Sequence, residues 1–141
     1  MAASFVLDAS IAISWCFPGD PTEDTPYSRH ILTELASNEA VVPEIWAFEI
    51  ANAIFVAHNK RKRINEQQVL EYLGLLKALP IRAEPRDLWA IVGLEALARR
   101  HDIAAYDAAY VDLALRSGFP LATADGALKR AALAERITII A

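Results

Sequence analysis

"AAYDAAYVDLAL", Ala104 to Leu115, is almost entirely alanine, tyrosine, valine and leucine, yet it carries two aspartates. The run reads as a packed helix. At about 100° per residue, Asp107 falls inside the arc of Ile103, Tyr110, Val111 and Leu115, the face expected to meet a core. Asp112 falls roughly 140° away on the same count. There it precedes Arg116 by four residues, the spacing at which exposed opposite charges meet on a helix surface. Asp112 thus has a surface explanation. Asp107 puts a carboxylate among apolar side chains.

Around this helix, short apolar runs alternate with helical patterns. Ser4 to Asp8, "SFVLD", is a buried-strand candidate, followed by an apolar segment from Ile11 to Phe17. Pro18 to Pro26, "PGDPTEDTP", is a loop by its prolines and acids. A helix is expected to about Ser37, a strand over Ala40 to Pro43, and a long helix from Glu44 to the basic "HNKRKR", His58 to Arg63. Asn65 can cap a further helix reaching Ala78. Pro80 to Glu84 is a weaker strand, and Pro85 suits the first turn of a helix running to Arg100. The opening helix ends near Gly118. Phe119 to Asp125 then reads as a strand, "GALKRAALAE" as a helix, and Arg136 to Ile140 as a last strand. This alternation predicts an α/β fold with a mainly parallel central sheet and helices on both faces.

The 141 residues suit a single domain, 1–141, able to bury roughly 70% of its unfolded surface. A hydrophobic content of 55% against 23% charged residues argues for an ordered core rather than disorder. The lone Cys16 has no disulfide partner in the chain, which fits a reducing, cytoplasmic setting. No signal peptide and no membrane-length apolar run is seen. A net charge of -4 excludes a generally basic nucleic-acid coat, so any contact with a polyanion must be local.

In open parallel sheets, ligands gather beyond the carboxyl ends of the strands. Asp8 ends the first strand and Asp125 follows the fourth, and each also suits a helix cap. Glu49 interrupts "PEIWAFEIANAIFVAH", Pro43 to His58, a helix carrying apolar groups around most of its circumference, and Asn52 shares its polar stripe. A salt bridge to an arginine is the plain explanation for a buried acid. No lysine or arginine, however, lies within three residues of Asp8, Glu49 or Asp107. Carboxylates grouped without cations repel, and a divalent metal is the usual reason a fold keeps them together. His30, His58 and His101 are scattered and there is no zinc-type spacing, so hard oxygen donors favour Mg2+ or Mn2+. There is no phosphate-cradling glycine loop.

"FVLDAS", "PEIWAFEIANAI", "AYDAAYVDLA" and "PLATAD" together resemble the PIN-domain family, in the spacing of bacterial VapC toxins, over nearly the whole chain. The resemblance implies a three-layer α/β/α sandwich and a metal-dependent endoribonuclease, the toxin of a type II toxin-antitoxin pair held inactive by a VapB-type antitoxin. It implies that Asp8, Glu49, Asp107 and Asp125 are the catalytic, metal-holding acids, with Ser10, Asn52 and Thr123 as accompanying polar residues. The run Lys60, Arg61, Lys62, Arg63 could hold RNA phosphates beyond the site, or could be only a solvated helix end. The apolar girth of the Glu44–His58 helix suggests a homodimer contact and a groove for the antitoxin. Alternatives are an inactive PIN-like module that binds RNA or protein, and a metal-dependent nuclease acting on structured DNA.

Overall fold

The computed structural model describes residues 3–141. Four parallel strands form one sheet: β1 (Ser4–Leu7), β2 (Glu39–Pro43), β3 (Ile81–Glu84) and β4 (Leu121–Ala122), in the order β3-β2-β1-β4. Phe5, Val6, Leu7, Ala40, Val41 and Val42 are buried, as expected for strands covered on both faces. The chain steps outward from β1 to β2 and β3, then returns to place β4 on the other side of β1. The strand order therefore reverses at β1, and the crevice beyond the carboxyl ends of β1 and β4 is the switch point where such sheets bind ligands.

Seven α-helices complete the layers: α1 (Ala9–Ser14), α2 (Pro26–Glu34), α3 (Ile45–Phe55), α4 (Glu66–Ala78), α5 (Ile91–His101), α6 (Ala105–Ser117) and α7 (Gly126–Ala134). Right-handed crossovers put α1 to α4 on one face and α5 to α7 on the other. The packing of α1 on α2 and α3, and of α6 on α5 and α7, agrees with this division. The expected α/β/α sandwich is present.

Local signals explain several boundaries. Asn65 and Gln68 cap α4 reciprocally, each side chain taking the other's backbone N–H. Gly118 ends α6 at a φ of 74°, a left-handed conformation open to glycine. Other expected elements are shorter. The Phe119–Asp125 strand contracts to Leu121–Ala122, and the Arg136–Ile140 strand is a single parallel bridge from Ile139 to Leu121. Pro85 does not open a helix. Asp87 instead caps a short 3-10 turn, Leu88–Ala90, that leads into α5. The Glu44–His58 helix is α-helical only to Phe55 and finishes as a wider π turn, Val56–Lys60.

The surface explanation of Asp112 needs correction. It does pair with Arg116, whose Nε lies 3.0 Å from Oδ2, but its side chain is buried. Arg86, from the segment before α5, adds two contacts at 3.0 and 3.2 Å. The helical count of one segment could not see this, because α5 and its leading loop cover the side of α6 opposite the core.

This buried ion triad makes Asp112 a structural residue. Asp112→Ala should lower stability by about 1–3 kcal/mol, below the usual cost of breaking a fully buried pair because water still reaches both arginines. Urea unfolding reads the difference, and a change within error would show the triad to be energetically idle.

Candidate active site

Asp8 directly follows β1 and caps α1, and its backbone N–H donates to Ala122 O at 3.0 Å. That ladder bond brings β4's continuation alongside. Thr123 Oγ1 consequently donates to Asp8 Oδ2 at 2.7 Å, and Ser10 Oγ donates to the same oxygen at 2.6 Å. Oδ1 has only a 3.5 Å contact with the Ser10 N–H. Thr123 Oγ1 also accepts the Asp125 N–H at 3.0 Å, which fixes the turn from β4 into α7. Asp125 caps α7 through Oδ1, which accepts the N–H groups of Ala127 and Leu128. Its Oδ2 has no partner among the described residues.

Glu49 and Asp107 arrive from helix interiors. Glu49 lies on α3, half-buried, and its Oε1 accepts the Tyr110 hydroxyl at 2.7 Å. Asp107 lies in the first turn of α6, also half-buried, with no hydrogen bond or ion pair to its carboxylate among the described residues. Electrostatics tie the four acids together. Burial raises the proton affinity of Asp8, with the charge of Asp125 adding to it. Burial likewise raises Glu49, helped by Asp8 and Asp107, and raises Asp107, helped by Asp125 and Asp8. Among the described residues no lysine or arginine pairs with any of the four, so the salt-bridge explanation of Glu49 is not met.

Among the described residues, no three His, Cys, Asp or Glu side chains enclose a metal position as they stand. The donor set nevertheless suits a hard cation. It consists of carboxylate oxygens, each acid retains at least one oxygen without a strong hydrogen bond, and no protein cation competes. A crevice of about 300 Å³ opens beside the cluster, lined by Ser10, Ser14, Thr22, Glu23, Thr25 and Asp125.

The remaining expected residues are placed differently. Ser10 and Thr123 hold Asp8 as described, whereas Asn52 is exposed on α3 and has no hydrogen bond to any of the acids. In the basic run, Arg63 stacks over Phe17 at 4.0 Å and pairs with Asp20 at 3.0 Å. Lys60 sits 5.6 Å from the Phe55 ring centroid. Arg61 and Lys62 are exposed without ion pairs among the described residues. The sequence places Tyr110 on the core face of its helix and assigns it no chemistry. Its spacing from Asp107, three residues on one helix face, is the signal that could have found it.

The apolar girth expected for the Glu44–His58 helix is only partly present. Ile45, Trp46 and Ile54 pack on the core, while Phe48 is 72% and Phe55 47% exposed. A second exposed apolar group, Leu88, Trp89, Ile91 and Val92, flanks α5's start. Beside it, an apolar groove of about 290 Å³ reaches Arg86, Asp112 and Arg116 and includes none of the four acids. No described helix is long and apolar enough to cross a membrane.

Comparison with known proteins supports the same architecture. Residues 5–133 match the PIN domain family. No curated protein matches in sequence. The solved structure of PAE2754 from Pyrobaculum aerophilum superposes with a TM-score of 0.64 at 17% identity, covering 93% of this chain and 87% of that one. FitAcB from Neisseria gonorrhoeae gives a TM-score of 0.64 at 20% identity, covering 97% and 96%. At these identities the likeness is one of fold.

The raised proton affinity of Asp107 has a measurable consequence. The folded protein binds this proton more tightly than the unfolded chain, so between the two pKa values stability falls as pH rises. Asp107→Asn removes that loss. In metal-free buffer the variant should gain stability over the wild type as pH climbs from about 4, the ordinary carboxylate range, towards neutrality. Urea midpoints across that range test it, and a difference that does not change with pH would refute the coupling.

Proposed function

The chain belongs to the PIN domain family, and from that premise we propose that it is a Mg2+- or Mn2+-dependent endoribonuclease, a VapC-type toxin of a VapBC pair. The observation that carries this reading is the cation-free group of Asp8, Glu49, Asp107 and Asp125 at the switch point of the sheet. Four acids gathered without an arginine favour a cation supplied from outside, because like charges held together disfavour one another's ionised forms. Magnesium keeps several waters and needs only one or two carboxylates, so an open cluster suits it.

In this reading the four acids hold the ion, and Ser10 and Thr123 occupy Oδ2 of Asp8, which leaves Oδ1 with no strong hydrogen bond. When bound, a divalent ion supplies positive charge for the scissile phosphate and acidifies water for attack. Any of the raised carboxylates can receive the water proton. The hydroxyl-lined crevice beside Asp125 gives the sugar-phosphate chain an approach, with Arg61 and Lys62 as free charges farther along the surface. RNA is the favoured substrate through the family, and exposed loop bases are what proteins read most readily. The chain acts as one domain in the cytoplasm.

Purified protein should cut single-stranded or loop RNA with Mg2+ or Mn2+ and lose that activity in excess EDTA. Asp107→Asn should abolish cleavage, Thr123→Val should cost about 10–100-fold, and Asp112→Asn should leave the folded enzyme active. Cleavage undiminished by EDTA refutes the metal reading. Intact RNA alongside cut structured DNA redirects the substrate.

For partners, we propose a homodimer that binds a small VapB-type antitoxin near Glu49, with a basic side chain of that partner satisfying the acids in place of metal. The exposed Phe48 and Phe55 support an interface on α3. Light scattering should give a dimer for the wild type and a folded monomer for Phe48→Glu or Phe55→Glu. A wild-type monomer at micromolar concentration overturns the dimer.

A further inference from the structure

We propose that Tyr110 is a positioning residue of the acid site, its hydroxyl fixing one oxygen of Glu49 so that the other is presented to a divalent cation. This rests on the metal-site reading above. Tyr110 is the largest side chain in the protein with essentially no exposure, and phenylalanine would fill the same core volume. What the oxygen adds is two contacts. It accepts the N–H of Ala9 at 3.3 Å and donates to Glu49 Oε1 at 2.7 Å.

Those contacts join the elements that carry three of the acids. Ala9 is the first residue of α1 and follows Asp8, Glu49 belongs to α3, and Tyr110 lies one turn beyond Asp107 on the same face of α6. Ala9 has one of the helix-start N–H groups that lack an intrahelical acceptor, and the Asp8 carboxylate contacts the next one, on Ser10. The phenol supplies what Ala9 needs. A hydroxyl has a single proton, and with Ala9 occupying a lone pair that proton is directed at Glu49. Glu49 has no other side-chain partner among the described residues. Without the hydroxyl, its three flexible torsions let the half-exposed carboxylate swing towards solvent. With it, Oε1 is pinned and Oε2 is the oxygen left for a ligand.

The test uses Mn2+ alone, titrated against the full chain and followed by electron paramagnetic resonance of the free ion. Tyr110→Phe should fold with the wild-type circular dichroism and need about tenfold more Mn2+ for half-saturation. In a Glu49→Ala background the same substitution should weaken Mn2+ binding no further. Equal losses in both backgrounds would place the effect in Ala9 and the fold, and would overturn the proposal. So would unchanged Mn2+ binding by folded Tyr110→Phe. Should that variant fail to fold, the wild-type hydroxyl proton of Tyr110, observed by NMR, decides: it should shift as Mg2+ is added, and an unmoved resonance overturns the assignment. A wild type that takes up no Mn2+ overturns both this and the metal reading. A wild type that binds Mn2+ but spares RNA overturns only the substrate, leaving the Mn2+ shift of Tyr110→Phe to decide this inference.

Discussion

Repulsion among like charges at the carboxyl end of a parallel sheet is the constraint around which this site is built. Asp8 and Asp125 meet it with backbone. Each begins a helix and accepts N–H groups at its start, where the helix dipole also favours negative charge. The same two residues terminate the β1 and β4 connections, so the bonds that stabilise the fold also keep the carboxylates in place. Glu49 and Asp107 have no such relief. They project from helix bodies, and among the described residues the one side-chain donor to either carboxylate is the Tyr110 hydroxyl. The raised proton affinity of Asp8, Glu49 and Asp107 records burial first and the neighbouring carboxylates second, with the hydrogen bonds to Asp8 and Glu49 offsetting only part of it.

Asp112 shows that the fold can compensate an acid when its role is structural. It lies five residues from Asp107 on the same helix, is more deeply buried, and receives contacts from two arginines. The two aspartates of "AAYDAAYVDLAL" therefore differ above all in company, the deeper one being the one that is paired. One locks α6 to the segment leading into α5. The other stands among acids.

That difference also marks what a single sequence can disclose. Alternating apolar runs were enough for the parallel sandwich, and Asn65 and Gly118 marked helix ends because capping is local chemistry. The acids were legible because a carboxylate on an apolar face is conspicuous wherever its partners lie. Arg86 was not, being 26 residues from Asp112 and brought to it only by the packing of α5's leading segment. Strand lengths failed at β4 and the C-terminal bridge, where Leu121 pairs with β1 on one side and only Ile139 on the other. Asn52 matched a family pattern and shares a stripe with Glu49, yet it points to solvent, since a three-residue spacing spans enough arc to cross from crevice to surface. Tyr110 was hidden for the opposite reason, because a tyrosine's bulk explains its burial before its oxygen is considered.

The site's placement explains why such a cluster is tolerable without a paired counter-charge. Asp125 and Ser10 are exposed, and Glu49 and Asp107 are half-buried, so water reaches the crevice although Asp8 lies beneath it. Solvent and proton binding relieve part of the repulsion, and the parallel core of Val6, Leu7, Val41 and Leu121 lies behind the charges rather than between them. A buried cluster in a dry core would have required a protein cation, as Asp112 has. An open one does not. The same openness that lets the chain fold with its acids unpaired leaves the role of counter-charge available to whatever approaches from outside, a hydrated metal ion or a basic side chain alike.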